Sequence, residues 1–195
     1  MSFEITLASG SPRRRDLLAQ LGYRLRIQAA DIDETPLPNE DALAYAERMA
    51  REKAATLQYP EALIVAADTV VHRDGVIFHK PESVADAHRI LGELSGQVHQ
   101  VSTGTCVRLG ERVLARVTTT QVRFRTLSRE EIRGYVATGE PMDKAGAYGI
   151  QGIGGFMVQS IQGSYSNVVG LPLSQILADF AELGAPPPFQ TMEPS

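Results

Sequence analysis

A chain of 195 residues, 43% hydrophobic and 22% charged, is long enough to bury a core without covalent staples and has the balance of an ordinary globular protein. Its formal charge of -4 sets aside a general nucleic-acid binder, which would carry a basic face, so any polyanionic ligand must be met by a local cation cluster or a metal. One cysteine, Cys106, excludes an internal disulfide and reads as a buried strand residue in a reducing compartment, so the expected location is the cytoplasm.

At the amino end, Met1-Ser2-Phe3-Glu4-Ile5 lacks the basic and apolar segments of a signal peptide. The first strand is expected over residues 5–8. The turn Ser9-Gly10-Ser11-Pro12 follows, with Ser11 as N-cap and Pro12 as first residue of a helix reaching about Leu21. An acidic, proline-bearing loop covers residues 31–41. A second helix is signalled by Leu43, Ala46, Ala50, Ala54 and Leu57 at helical spacing. Residues 62–67 are uniformly apolar and read as a strand buried on both faces, with Asp68 at its carboxyl end. The run is too short to span a bilayer, and no membrane partner is expected. Asp74-Gly75 between two apolar segments predicts a hairpin. A third helix is expected over 84–94, then two long strands, 97–108 and 112–124, about a turn at Gly110-Glu111. Ser128 and Glu131 form a capping box for a helix ending at Gly139. Residues 140–155 are Gly-rich and read as irregular, 156–161 as a strand and 173–183 as the last helix. The mixture predicts an α/β fold, a mixed β-sheet flanked by helices, as one domain over 1–185 with a flexible tail over 186–195.

Three features carry chemistry. Arg13-Arg14-Arg15 crowd the first turn of a helix, where the macrodipole disfavours cations. They form either a solvated basic face or, with Ser9 and Ser11, a pocket for a phosphate among the free N–H groups. Asp68 after a buried run is either a capping aspartate or a group at the strand ends where α/β sheets bind ligands, and the hairpin returns Lys80-Pro81 toward it. The acidic residues Asp31, Asp33, Glu34, Glu40 and Asp41 are either solvated or, through Glu34 with Asp68, part of a site for a hard divalent cation. No Walker-type loop is present, the glycines at 149–155 lack the Rossmann context, and His72, His79, His88 and His99 lack zinc-ligand spacing.

Further segments accompany these: Leu7-Ala8-Ser9-Gly10-Ser11-Pro12-Arg13-Arg14, Asp33-Glu34, Arg48 with Glu52-Lys53-Ala54, Ala67-Asp68-Thr69, Lys80-Pro81, Leu94-Ser95-Gly96, Asp143-Lys144-Ala145-Gly146-Ala147-Tyr148-Gly149-Ile150-Gln151-Gly152, and Asn167-Val168-Val169-Gly170-Leu171-Pro172-Leu173. In this order, over nearly the whole chain, the set resembles the Maf family of nucleotide pyrophosphatases. His79 departs from it, standing where the family has a small residue before Lys-Pro.

The resemblance implies an ITPase-like fold with two lobes around a cleft, a homodimer, a nucleoside triphosphate substrate and a divalent cation, Mg²⁺ or Mn²⁺, held by Glu34 and Asp68. It implies Asp68 as proton acceptor, with Glu34, Lys53 and Lys80 in the same pocket. Arg13, Arg14, Lys53 and Lys80, with Lys144 as a lesser contributor, would offset triphosphate charge. Gln151 offers a donor and an acceptor that match the N3–H and carbonyl edge of uracil or thymine. With Arg13 and Thr69 it forms the expected specificity set, favouring dTTP and UTP, with modified pyrimidine triphosphates as a further class. The 7-methyl-GTP branch is similar but carries a carboxylate in the Gly-rich segment. A nucleotide-binding regulator of cell division is the reading from another class, against which Asp68, Lys53 and Lys80 argue.

Overall fold

The computed structural model describes residues 4–187 and Phe189. Of the tail expected over 186–195, positions 188 and 190–195 lie outside the described residues. A seven-stranded mixed sheet is the backbone of the fold, in the order β2 (Leu25–Ile27), β1 (Ile5–Leu7), β3 (Leu63–Arg73), β5 (Val98–Leu109), β6 (Arg112–Phe124) and β7 (Val158–Gln162), with β4 (Val76–Phe78) on β3. The described residues fall into two compact units. The first holds the residues up to Asp68, Thr103–Thr118 and the segment from Gly170 on, and the second holds Thr69–Ser102 and Thr119–Val169.

In the first unit, β1 (Ile5–Leu7) is buried on every residue and pairs in parallel with β2 (Leu25–Ile27) and with β3 (Leu63–Arg73). Pro12 opens α1 (Pro12–Ala19) as expected, and Ser11 occupies the N-cap position. Its hydroxyl does not cap, however: the Ser11 N–H turns back to donate to Ser9 Oγ at 3.2 Å. Helix α2 (Ala42–Ala55) is capped by Asp41, which accepts from the N–H groups of Leu43 and Ala44 at 2.9 Å each. The buried residues Ala50 and Ala54 pack α2 against Ala8, Ile64, Ala66 and Cys106. Small side chains let the helix lie close on β5 (Val98–Leu109): a Cβ at Gly104 would stand 2.1 Å from the Ala46 carbonyl oxygen. Helix α6 (Leu173–Glu182) buries Ile176 and Phe180, and Tyr23 meets the Phe180 ring edge-on at 5.4 Å.

In the second unit, Asp74 (φ 52) and Gly75 (φ 81) both take positive φ between the end of β3 and β4 (Val76–Phe78), the turn such a pair favours. Helix α3 (Val84–Leu94) and helix α4 (Arg129–Ala137) bury Ala87, Ile90, Leu91, Ile132, Tyr135 and Val136 in one cluster with Val101, Val122 and Phe124. The Ser128–Glu131 capping box is present. Strand β6 (Arg112–Phe124) pairs antiparallel with β7 (Val158–Gln162), and α5 (Tyr165–Val169) follows.

Four expectations need correction. Asp68 does not end a strand: β-branched Thr69, Val70 and Val71 carry β3 on to Arg73, so the carboxylate lies in mid-strand. It still lies beyond the carboxyl end of β1, whose last residue Leu7 pairs with Val65. Residues 140–155 are not irregular but contain three short 3-10 segments, Glu140–Asp143, Ala145–Ala147 and Ile153–Met157. The seventh strand begins at Val158, after the last of these. Strand β2 and helix α5 were not anticipated, because three and five residues are too few for a readable period.

His99 is a packing residue of this second core. It is buried, its Nε2 lies 2.9 Å from the Tyr148 hydroxyl, and its ring meets Phe124 edge-on at 4.8 Å. Burial pulls its pKa down to about 3, with smaller contributions from Arg73 and His72.

Two outcomes are expected. Gly104→Ala must displace α2 and should lower stability by about 1–3 kcal/mol in urea unfolding. Since the folded-state pKa of His99 lies below its unfolded value, the stability tied to neutral His99 is complete above about pH 6.5 and drains away as pH falls toward 3. Between pH 6.5 and 5 the loss should be about 1–2 kcal/mol, and His99→Gln should flatten that slope.

Candidate active site

The centre of the first unit is a lysine shared by two carboxylates. Lys53 stands in the last turn of α2, where the helix dipole favours a cation. Its Nζ lies 2.6 Å from Asp68 Oδ1 and 2.7 Å from Glu34 Oε1. Lys53 and Asp68 side chains are only 10% and 14% exposed, whereas Glu34 is 51% exposed, so the group opens to solvent on the Glu34 side.

The acidic loop divides its labour. Asp33 Oδ1 accepts from the Thr35 N–H at 2.9 Å, and the Thr35 side chain, then this N–H, holds its carboxyl below the usual range. Glu40 takes both forks of Arg48, at 2.6 and 2.7 Å, and that guanidinium pulls its carboxyl down to about 2. Arg48 also donates to the Thr35 carbonyl at 3.1 Å and to Glu52 at 3.2 Å. Tyr45 donates to the Glu34 carbonyl at 2.8 Å, and burial, followed by the nearby Asp68 and Glu34 charges, raises its phenol to about 12. With Asp41 committed to capping α2, Glu34 is the acidic residue of this loop that reaches Lys53.

Arg14 completes the group. Its Nε donates to the Gly170 carbonyl at 2.8 Å and its Nη1 to Ser9 Oγ at 3.1 Å. Dehydration lowers its pKa below the ordinary arginine value. The Asp68 charge opposes that shift, Arg13 adds to it and Glu34 again opposes it, so all four side chains share one electrostatic field. The structure therefore brings together Ser9, Arg13, Arg14, Glu34, Lys53 and Asp68, with Ser11 beside them in the Ser9 turn.

The remaining candidates belong to the second unit. Thr69 is the next residue of β3 and is half-buried. Lys80 is exposed just after β4, and the neighbouring His79 carbonyl accepts from the Gly146 N–H at 3.2 Å. Lys144 Nζ is engaged at 2.6 Å by both the Glu140 carbonyl and Asp143 Oδ1. Gln151 is exposed in the turn that follows Tyr148 and Gly149.

Sequence reasoning gave no part to Tyr45, Glu140 or Tyr135, and read Glu40 only as a member of the acidic loop. An i,i+4 spacing of Arg48 to Glu52 is the one local hint of the Arg48 network.

A metal has a partial donor set here. Among the described residues no group of three or more His, Cys, Asp or Glu could hold an ion. Two carboxylates converging on one ammonium nevertheless form a place already shaped for positive charge. Hard divalent ions are commonly held by one or two carboxylates together with substrate phosphates. Glu34 and Asp68 fit that pattern.

With this geometry in view, the chain compares with known proteins as follows. The family described as Maf-like protein matches residues 4–183. A dTTP/UTP pyrophosphatase of Chromobacterium violaceum is 51% identical over 187 residues, 92% of this chain and 94% of that one. A dTTP/UTP pyrophosphatase of Neisseria gonorrhoeae is 45% identical over 197 residues, 96% of this chain and 98% of that one. Among solved structures, a Ham1 protein of Staphylococcus aureus is similar at 14% identity and a TM-score of 0.45, covering 62% of this chain and 71% of that one.

Proposed function

This chain belongs to the Maf-like protein family, and on that premise we propose that it hydrolyses dTTP and UTP to the nucleoside monophosphate and pyrophosphate. The observation that carries the reading is the charge cluster of Lys53 between Glu34 and Asp68, with the dehydrated Arg14 in the field of both carboxylates. Relatives at 45% and 51% identity named for this reaction support it.

The chemistry asks for a water aimed at the α-phosphorus, opposite the departing pyrophosphate. Asp68 is the proposed acceptor of that water's proton: Oδ1 is held by Lys53, and Oδ2 is the oxygen assigned to the water. The new P–O bond forms as the bond from the α-phosphorus to the bridging oxygen breaks, and the electron pair leaves with pyrophosphate. Arg13 and Arg14 are assigned to the phosphates. Arg14 is well suited, because a half-buried guanidinium, partly withdrawn from water, gains more from an incoming anion than a fully hydrated one. Lys80, exposed just after β4, is assigned to the phosphates as well. Lys53 offsets the repulsion between the two carboxylates, its Nζ lying 2.7 Å from Glu34 and 2.6 Å from Asp68. Glu34 and Asp68 are the residues that would hold Mg²⁺ or Mn²⁺, which when bound would offset triphosphate charge and acidify a water. Base choice is assigned to Gln151, with Thr69 and Arg13. A homodimer in the cytoplasm is part of the same proposal, resting on family resemblance and the single thiol.

Purified protein given UTP and Mg²⁺ or Mn²⁺ should release UMP and pyrophosphate. UDP with phosphate would overturn the reaction class. Removing divalent ions with a chelator should stop turnover, and adding them back should restore it. Asp68→Asn should lower kcat by about 10²- to 10⁴-fold, the span typical of a lost general base. Full turnover in that variant would remove Asp68 from its role.

A further inference from the structure

Residues 149–155 read Gly-Ile-Gln-Gly-Ile-Gly-Gly, a composition that in isolation makes a pliable backbone. The second unit holds it fast. Glu140 Oε2 accepts from the Ile153 N–H at 2.9 Å and Oε1 from the Gly154 N–H at 3.0 Å. The Tyr135 hydroxyl donates to Glu140 Oε1 at 3.0 Å and accepts from the Gly149 N–H at 3.3 Å. Both ends of the turn that carries Gln151 therefore hang on one carboxylate and one phenol. Their approach is so close that a side chain at 152 or 154 would displace them. A Cβ at position 152 would lie 2.5 Å from each Glu140 oxygen, and one at 154 would lie 2.6 Å from the Tyr135 hydroxyl. Charge agrees with the geometry. Burial pushes the Glu140 carboxyl up, but the Gly154 and Ile153 N–H groups, then Tyr135, more than offset it. Burial, then Glu140, raises the Tyr135 phenol, which stays protonated and able to donate.

We infer that Glu140 and Tyr135 are a positioning pair that fixes the turn presenting Gln151, so that discrimination between bases depends on this pair as well as on the amide itself. This rests on the base-selecting role proposed for Gln151. An amide distinguishes a uracil edge only when its donor and its acceptor meet their partners together. A shift of the turn misaligns both, and the loss falls on the preferred base more than on a base that never matched.

The test compares wild type, Tyr135→Phe, Glu140→Gln, Gln151→Ala and each positioning variant combined with Gln151→Ala. It measures kcat and KM for UTP and for ATP, together with backbone amide exchange at Ile153 and Gly154. Tyr135→Phe and Glu140→Gln should each lower the UTP-to-ATP ratio of kcat/KM about tenfold, the worth of roughly one hydrogen bond. The change should lie mainly in KM, exchange at both amides should speed up, and Gln151→Ala should add little further. If Gln151→Ala collapses the ratio while both positioning variants keep it, or if the losses in the double variants simply multiply, the pair does not position the turn. If Gln151→Ala itself leaves the ratio intact, the base-selecting role falls, and with it this inference. Should Glu140→Gln not fold, as judged by circular dichroism, the decision rests on Tyr135→Phe, which loses a single hydroxyl.

Discussion

An ammonium held between two carboxylates is the interaction around which the first unit is arranged. Glu34 and Asp68 side by side would repel each other, and Lys53 at 2.7 and 2.6 Å turns that repulsion into a stable triad. The three groups come from a loop, a strand and a helix, so three different structural conditions must hold at once. The helix must lie flat on the sheet, which the alanines of α2 and the missing side chain at Gly104 allow. The strand must run past the end of its neighbour, which β3 does, placing Asp68 three residues beyond the Leu7–Val65 pair. The loop must be tied down, which Arg48 through Glu40 and Tyr45 through the Glu34 carbonyl accomplish.

Arg14 illustrates how the same arrangement handles unfavourable charge. A cation near the start of a helix opposes the dipole, and dehydration adds to the cost. Two carbonyl- or hydroxyl-type acceptors, the Gly170 oxygen and Ser9 Oγ, satisfy part of the guanidinium, and the Asp68 and Glu34 charges offset the rest. This balance explains how Arg14 tolerates a position that helix electrostatics alone would disfavour.

How much of this was legible in the sequence follows from where each signal lives. Local signals read correctly: the Asp74-Gly75 turn, the Ser128–Glu131 capping box, the proline opening α1 and the alanine face of α2 all act within a few residues. Asp68 stood out because a carboxylate after an uninterrupted apolar run is rare, although its strand continues beyond it. Contacts between distant residues had no such signature. Lys53 and Asp68 are fifteen positions apart, and nothing in their spacing joins them, so that link came from family resemblance alone. The acidic loop looked uniform in sequence because turn-making, helix capping, arginine binding and lysine binding all use the same side-chain chemistry. Glu140 escaped notice because its partners at Ile153 and Gly154 are backbone amides, which every residue but proline possesses.

On the role proposed for Gln151, the crowding of the 149–155 backbone bears on how this protein could be engineered toward other nucleobases. Side chains added at 149, 152, 154 or 155 would strike Lys144, Glu140, Tyr135 or the Ile150 carbonyl. Ile150, Gln151 and Ile153 are the positions of this stretch that already carry side chains without such contacts. On the proposed role of Gln151, a library randomised at those three positions would exchange what the loop displays while its path stays the same.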